Sequence, residues 1–250
     1  MNATLRLVRA ELRKLFTTRA LPVSFAIAIV LAIGSVIIDA LVAGKNGAPR
    51  LGTDAAVYQM LKLGAITCVV MLILGILAAG SEFRHRTIVP ALLATPHRGR
   101  VFAVKVVVIA TLGAAFGAVV FGLGLGTAIL ELSAHGIHHL PAGIVSLYIG
   151  TVLSSACFGM IGVALGALTR NTIGAIVAAI AWALFVEQVI LNAVMPGIEK
   201  WLPTGAAIGL TNAPGSGHFL SPAVASAVLT GYAVILLLAA NRTTMRRDVA

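Results

Sequence analysis

The chain has 250 residues, of which 59% are hydrophobic and only 10% are charged, and its formal net charge is +10. A soluble domain carries roughly a quarter of its residues as charges, so this composition excludes a water-exposed globular protein. The basic residues cluster at the ends of apolar segments, which indicates membrane topology rather than nucleic-acid binding. Cys68 and Cys157 lie inside apolar segments and are expected to be packing residues, not a disulfide or a metal pair.

The N-terminal segment, residues 2–19, is predicted to be a basic amphipathic helix. Its apolar residues recur every three or four positions, and arginine and lysine fill the rest. A helix of this kind lies in the headgroup region of a membrane with its apolar side down. Two roles stay open: an anchor that only fixes orientation, or an elbow that also lines the docking surface of a partner. The apolar residues are Leu5, Val8, Leu12, Leu15 and Phe16.

Six apolar windows meet or approach the roughly 20 residues that a helix needs to cross the hydrocarbon core. They are residues 21–42, 63–80, 101–130, 142–168, 173–194 and 222–240. With both termini inside, all but four of the 18 lysines and arginines fall on the cytoplasmic side, as the positive-inside rule requires. The exceptions are Lys45, Arg50, Lys62 and Lys200. The prediction is an all-α polytopic membrane protein with a single transmembrane domain, six transmembrane helices and cytoplasmic termini.

Three pairs of glycines recur four residues apart within the predicted spans. Small residues at this spacing let helix backbones approach closely. We expect the pairs to pack inside the protein, with a dimer face as the alternative. They are Gly113 and Gly117, Gly122 and Gly126, and Gly162 and Gly166.

The polar interval between the second and third windows, residues 81–100, is predicted to hold a short cytoplasmic helix, a break and a second helix start. Thr95 and Pro96 suit the N-cap and first position of that second helix. Glu82 stands at the membrane boundary, where an unpaired carboxylate is costly, so we expect a neighbouring arginine or lysine to neutralise it. The positive-inside rule explains the arginines here, but neither Glu82 nor the apolar patch at residues 88–93.

The connection after the third window carries one acidic residue and three histidines at spacings of three and four. On a helix this spacing brings metal ligands together. Gly136 and Pro141 argue against a continuous helix, so no metal site is predicted. The four residues are Glu131, His135, His138 and His139.

Glu187 lies deep in a predicted span, with Gln188 and Asn192 following it. An ionisable group at such a depth indicates a functional site. Two interpretations stay open: a place on the substrate or cation path, or a structural bond to Gln188, Asn192 or a neighbouring helix. Asp39, at the outer end of the first window, is expected to reach water.

Residues 195–221 form the last predicted outer connection, in which Trp201 suits the membrane interface. Its apolar part, residues 198–210, is predicted to dip back into the outer leaflet as a gate-like re-entrant segment. Non-helical backbone at membrane depth is tolerated only beside protein or a cavity. The alternative is a surface loop with one aromatic anchor.

The interval after the second window resembles a signature of ATP-binding-cassette (ABC) type-2 transporter permeases, the membrane subunits of bacterial exporters. The shared pattern is an acidic residue after the second span, a basic pair, a threonine, a leucine-rich stretch, a proline and further basic residues. The matching positions are Glu82, Arg84, Arg86, Thr87, Leu92, Leu93, Pro96, Arg98 and Lys105. The opening stretch from Glu11 to Leu15, ending at Arg19, is also similar. One departure is His85 followed by Arg86, where the family often has a glycine before the threonine.

This resemblance implies a permease subunit of an ABC exporter in the bacterial plasma membrane, acting as a homodimer or heterodimer with a second permease. It implies coupling to a cytoplasmic ABC ATPase through Glu82, Phe83, Arg84, Arg86, Thr87, Leu92 and Leu93, with interfacial docking by Glu11, Lys14 and Arg19. ATP and Mg are expected on that ATPase, because no G-x-x-x-x-G-K-[ST] sequence occurs here. The chain itself is expected to be no enzyme and to bind membrane lipids but no cofactor or nucleic acid.

The residues also bear on two other function classes. An autonomous ion-coupled carrier or channel would place Glu187 and Asp39 on the ion path; inverted repeats would support it, and no convincing internal repeat is seen. An intramembrane enzyme is disfavoured, since no H-E-x-x-H sequence and no catalytic pair stand out. A path rich in alanine, glycine, valine and leucine suits amphiphilic drugs, peptides or lipids without choosing among them.

Overall fold

The computed structural model describes residues 3–45, 47–84, 98–169, 171–191, 197–212 and 219–246, and all regular structure in these ranges is helical. The predicted all-α class is confirmed. The helices are α1 Ala3–Thr17, α2 Ala20–Val42, α3 Asp54–Met60, α4 Gly64–Arg84, α5 Arg98–Ala134, α6 Ile144–Thr169, α7 Thr172–Ala181, α8 Pro203–Thr211 and α9 Pro222–Arg246. A π-helical segment, Trp182–Leu191, continues α7 directly, and a 3₁₀ turn, Glu199–Trp201, precedes α8.

Five helical stretches are long and apolar enough to cross a membrane, as expected of a multi-pass membrane protein. They are Ala20–Val42, Asp54–Gly80, Gly99–Ala134, Ile144–Thr169 and Pro222–Thr243. These stretches overlie five of the six predicted windows. The remaining window, residues 173–194, holds α7 and the π-helical segment instead of one long α-helix. Five stretches rather than six therefore meet the length and composition of a crossing helix in the described part of the chain.

Helices α4 and α6 form the centre of the bundle, and glycine makes their contact possible. A Cβ added to Gly162 would lie 2.3 Å from the carbonyl oxygen of Leu72, and one added to Gly75 would lie 2.2 Å from that of Gly159. Gly166, one turn later, meets α4 in the same way. The two backbones therefore touch directly, which is the packing that small residues allow in membrane helices.

The glycine pairs on α5 divide into two kinds. Gly113 and Gly117 pack inside the bundle as predicted, because a Cβ added to either would lie 2.7 Å from an oxygen of Ser155 on α6. Gly122 and Gly126 are exposed, with nothing within 4 Å of an added Cβ. Internal packing is therefore wrong for the second pair. The reason is helical phase: at about 100° per residue, Gly122 lies about 140° around the helix from Gly117.

Some apolar side chains of α1 pack against the bundle, and others are exposed. Leu15 is buried, and Val8 and Leu12 pack beside it against the core formed with α2, α4 and α5. Leu5 and Phe16 keep 59% and 62% of their surface exposed. The end of the bundle that carries α1, the last turns of α4 and the start of α5 is called the α1 end below.

Helix α8 lies inside the opposite end of the bundle, and most of its residues are buried. A Cβ added to Gly150 of α6 would lie 2.1 Å from the carbonyl oxygen of Leu210, and one added to Gly64 of α4 would lie 2.5 Å from Cγ2 of Thr211. Pro203 occupies its first turn, where a missing N–H costs nothing. With nine residues, α8 is too short to cross a bilayer.

Candidate functional site

A cavity of about 450 Å³ lies between α6, α7, the π-helical segment, α8 and α9, with part of its wall from α4. Its size is within the range of small-molecule sites, and its walls are mainly apolar, as in such sites. The residues of α7 that line the cavity are all alanines, and a further alanine follows in the π-helical segment, which leaves space beside Phe158 and Tyr232. These alanines are Ala175, Ala178, Ala179 and Ala183.

Glu187 is the one carboxylate among the described residues that line this cavity. It is 2% exposed, and its Oε2 accepts a hydrogen bond from the backbone N–H of Thr204 at 2.9 Å. Thr204 is in the first turn of α8, where backbone N–H groups have no intrahelical acceptor and the helix dipole favours a negative charge. Glu187 therefore ties the π-helical segment to the start of α8. This contact agrees with the hypothesis that Glu187 makes a structural bond to a neighbouring helix.

The π-helical turns explain why Trp182 lines the same cavity as Glu187. In a π-helix each N–H bonds to the carbonyl five residues earlier, so residues five apart lie on one face. Such turns occur frequently at functional sites. Trp182 is exposed, as are the lining residues Thr169 and Ala178, and these three mark the open side of the cavity.

Replacement of Glu187 by alanine is expected to destabilise the protein by about 1–2 kcal/mol, because the Thr204 N–H loses its acceptor inside the protein. Glu187→Gln keeps an acceptor oxygen at the same place and should retain most of the stability. Thermal unfolding of the two variants in mild detergent measures the difference. Equal destabilisation by both changes would contradict the capping contact.

The other residues of the predicted pathway do not join Glu187. Asn192 lies outside the described residues, and Gln188 is described by its backbone alone, within the π-helical segment. Asp39 accepts a hydrogen bond from Nε2 of Gln59 on α3 at 3.1 Å and does not line the cavity. The two carboxylates of the carrier hypothesis therefore have separate surroundings.

A second cluster lies at the α1 end, around the buried Lys105 of α5. Its Nζ donates to Oε2 of Glu11 on α1 at 2.8 Å and to the carbonyl oxygen of Ala78 on α4 at 3.2 Å. Lys105 is 3% exposed, and a desolvated ammonium group is costly unless it is paired in this way. One side chain thus joins three helices.

The three predicted docking residues of the N-terminal helix have different surroundings. Glu11 faces Lys105 inside the protein, whereas Arg19 is exposed at the junction of α1 and α2. Lys14 borders a shallow basic cleft on α1. The cleft is lined by Arg6, Arg9, Ala10, Arg13, Lys14 and Thr17. Its arginines are exposed and follow one helical face at spacings of three and four.

Three of the seven predicted coupling residues are described by their backbone alone, and four lie outside the described residues. Glu82, Phe83 and Arg84 form the last turn of α4 by their backbone. The other four, Arg86, Thr87, Leu92 and Leu93, belong to residues 85–97 and lie outside the described residues. The α1 end therefore holds both ends of this interval, at the close of α4 and the start of α5.

The histidines after α5 bond to separate partners. Nδ1 of His135 donates to the carbonyl oxygen of Glu131 at 2.9 Å, and Nε2 of His139 donates to a carboxylate oxygen of Asp54 at 2.7 Å. Gly136, with φ of +72°, lies in the turn that follows α5. In the described ranges, no group of three His, Cys, Asp or Glu side chains is placed to hold a metal ion.

No protein-family model matches this sequence, and no curated protein is similar enough to it to count as a relative. These comparisons give the resemblance to ABC permeases no support. A function must therefore be argued from the residues and contacts described above.

Proposed function

We propose that this chain is the membrane-spanning permease subunit of an ABC exporter and is driven by a separate cytoplasmic ATPase. In this proposal α7 and its π-helical continuation supply a sixth crossing. Together they have twenty residues, about the number that a helix needs to cross the hydrocarbon core. The α1 end is then the cytoplasmic face, and both termini lie on the cytoplasmic side of a bacterial plasma membrane.

Helix α4 runs from the predicted coupling interval to the cavity, and this connection carries the proposal. Its last turn, residues 82–84, holds the first predicted coupling residues, its Ala78 accepts a hydrogen bond from Lys105, and its Leu72 lines the cavity. Ala78 and Leu72 are about 9 Å apart along the helix axis, at 1.5 Å per residue. A force applied to the interval after Arg84 would therefore reach the cavity wall through one rigid element.

The ion pair between Glu11 and Lys105 supports a coupling role for α1 as well. It fixes α1 to the start of α5 and to α4, which are the two helices that flank the predicted coupling interval. The exposed arginines of the basic cleft face away from this contact and suit an acidic partner surface. A single ATPase is proposed to contact α1 and the coupling interval together.

We further propose a dimer, with itself or with a second permease, since the resemblance implies that six spans form half of a pathway. The exposed Gly122 and Gly126 offer a face on α5 that another helix can approach closely. Helix α8, buried at the opposite end, suits the role of a re-entrant outer gate, because its backbone is covered by protein.

The proposal is tested by affinity purification of the chain from its native membrane in mild detergent. We expect a cytoplasmic ATPase to co-purify, and we expect the combined change Glu82→Ala and Arg84→Ala to reduce its yield at least about tenfold, a loss of roughly 1.4 kcal/mol in binding. Glu131→Ala with Lys62→Ala, an acidic and a basic change at the opposite end, is the matched control and should retain the ATPase. Purification without any ATPase from an intact protein would overturn the proposal.

The buried Glu187 favours a second candidate, an ion-coupled carrier that acts alone. Its buried carboxylate lines the cavity, and ionisable residues inside a membrane mark ion pathways. Asp39, the other carboxylate of that path, bonds to Gln59 and does not line the cavity. Cation-driven uptake by the purified chain in liposomes, abolished by Glu187→Gln, would support the carrier over the permease.

A further inference from the structure

The described lining of the Glu187 cavity contains one acidic residue and no basic one. Glu187 is the acidic residue, and no lysine, arginine or histidine is among the described lining residues. The remaining described lining is aliphatic or aromatic, apart from the hydroxyls of Thr169, Thr204 and Tyr232. In the described part of the chain this buried carboxylate has no cationic partner, and its ionised form is costly unless a positive charge pairs with it.

The groups around the carboxylate leave its charge unbalanced. The backbone N–H of Thr204 donates to Oε2, and the Thr204 hydroxyl, the Trp182 indole N–H and the Gly205 backbone N–H lie close to the same carboxylate. All of these groups are neutral, so none of them supplies the positive charge that pairs with a buried carboxylate. A protonated amine would add both further donors and the opposite charge, and hydrogen bonds between charged groups are about twice as strong as neutral ones.

The rest of the cavity suits the apolar body of such an amine. Phe158, Trp182 and Tyr232 supply aromatic surfaces, and aromatic faces attract an organic cation within about 6 Å. The alanines of α7 leave the space, and its open side lies along exposed residues of the helices, at Thr169, Ala178 and Trp182. In a membrane-spanning chain this side faces lipid, so a ligand that partitions into the bilayer can reach the cavity.

We propose that this cavity binds a lipophilic amine, with the ammonium group at Glu187 and the hydrocarbon or aromatic body between α6, α7 and α9. Its identification as the transported substrate rests on the permease function proposed above, whereas its binding does not. Failure of the ATPase to co-purify would remove the transport role and leave the binding site intact.

Trp182 allows binding to be measured at the cavity itself. The chain has two tryptophans, so Trp201→Phe leaves Trp182 as the sole tryptophan reporter. The full chain with this change is placed in lipid nanodiscs and titrated with decylamine, decanol and decanoate, which share one hydrocarbon chain and differ in charge. We expect decylamine to change the Trp182 emission saturably, at a concentration at least about tenfold lower than decanol, and decanoate to be weaker still.

Glu187→Gln in the same background removes the charge but keeps an acceptor for Thr204. We expect it to abolish the preference for decylamine over decanol, while Glu131→Gln, a carboxylate outside the cavity, leaves the preference unchanged. Matching melting temperatures establish that the Glu187→Gln protein is folded. Equal responses to all three probes, no response to any, or an unchanged preference in Glu187→Gln would each overturn the proposal.

Discussion

Replacing Lys105 by methionine is expected to lower the free energy of unfolding by about 3 kcal/mol. The change keeps the length of the side chain but leaves the carboxylate of Glu11, only 15% exposed, without its cation. Removal of one partner of a buried ion pair typically costs about 3–5 kcal/mol. The remaining exposure of Glu11 places the expected loss at the lower end. Unfolding in mild detergent, followed by circular dichroism, measures it.

Two further variants separate the ion pair from other causes. Changing both partners, Lys105→Met with Glu11→Leu, should recover most of the lost stability, because replacing a whole buried pair by apolar residues is often close to neutral. Arg13→Met removes an exposed cation from the opposite face of α1 and should leave stability within about 0.5 kcal/mol of the original, as surface changes usually do. A double variant as unstable as Lys105→Met would contradict the pairing.

Replacing Gly162 by alanine is expected to destabilise the centre of the bundle by about 1–3 kcal/mol or more. The added Cβ would lie 2.3 Å from the carbonyl oxygen of Leu72, and because that oxygen belongs to the backbone, α4 and α6 must separate to accept it. Gly75→Ala, from the facing helix, should have the same effect. The yield of folded protein and its melting temperature measure the loss.

Gly231→Ala is the matched control for this prediction. Gly231 also lies in a long helix, α9, but an added Cβ meets nothing within 4 Å. Since alanine favours the helical backbone over glycine, we expect no loss and a gain of up to about 1 kcal/mol. Equal effects at Gly231 and Gly162 would mean that α4 and α6 do not touch in the way described.

Hydropathy predicts the five long helices because a run of twenty apolar residues has few alternatives in a membrane. Hydropathy does not predict the structure of the window at residues 173–194. It is apolar enough, but the chain changes from α-helix to π-helix at Trp182. That change accompanies a bond from Glu187 to Thr204, seventeen residues away. A local average of hydropathy contains no information about such a contact.

The two site clusters depend on pairings between distant parts of the chain. Glu11 and Lys105 are 94 residues apart. Glu11 was a predicted docking residue and Lys105 a position of the family pattern, yet nothing in the sequence pairs them. The Glu187 cavity had a weak signal, the alanines that recur on one face of α7 before Trp182 and Glu187. Such a face also suits close helix packing, so the sequence alone does not distinguish an empty space from a filled one.

The glycine pairs show the same limit at equal spacing. Gly122 and Gly126 have the four-residue interval of Gly162 and Gly166, and the pattern predicts close packing for both. Whether a helix lies opposite is decided by the tertiary arrangement: α4 covers Gly162, whereas the described part of the chain leaves Gly122 open.

The interval between α4 and α5 is proposed to contact a cytoplasmic ATPase. The most direct test places the photoreactive amino acid p-benzoylphenylalanine at Thr87 of the full chain, in the cells that make it, and identifies the cross-linked partner by mass spectrometry. We expect a protein with a G-x-x-x-x-G-K-[ST] phosphate-binding loop, and no such product from the same group at Ile137, at the opposite end. Cross-links to lipid alone, or the same proteins from both positions, would contradict the claim.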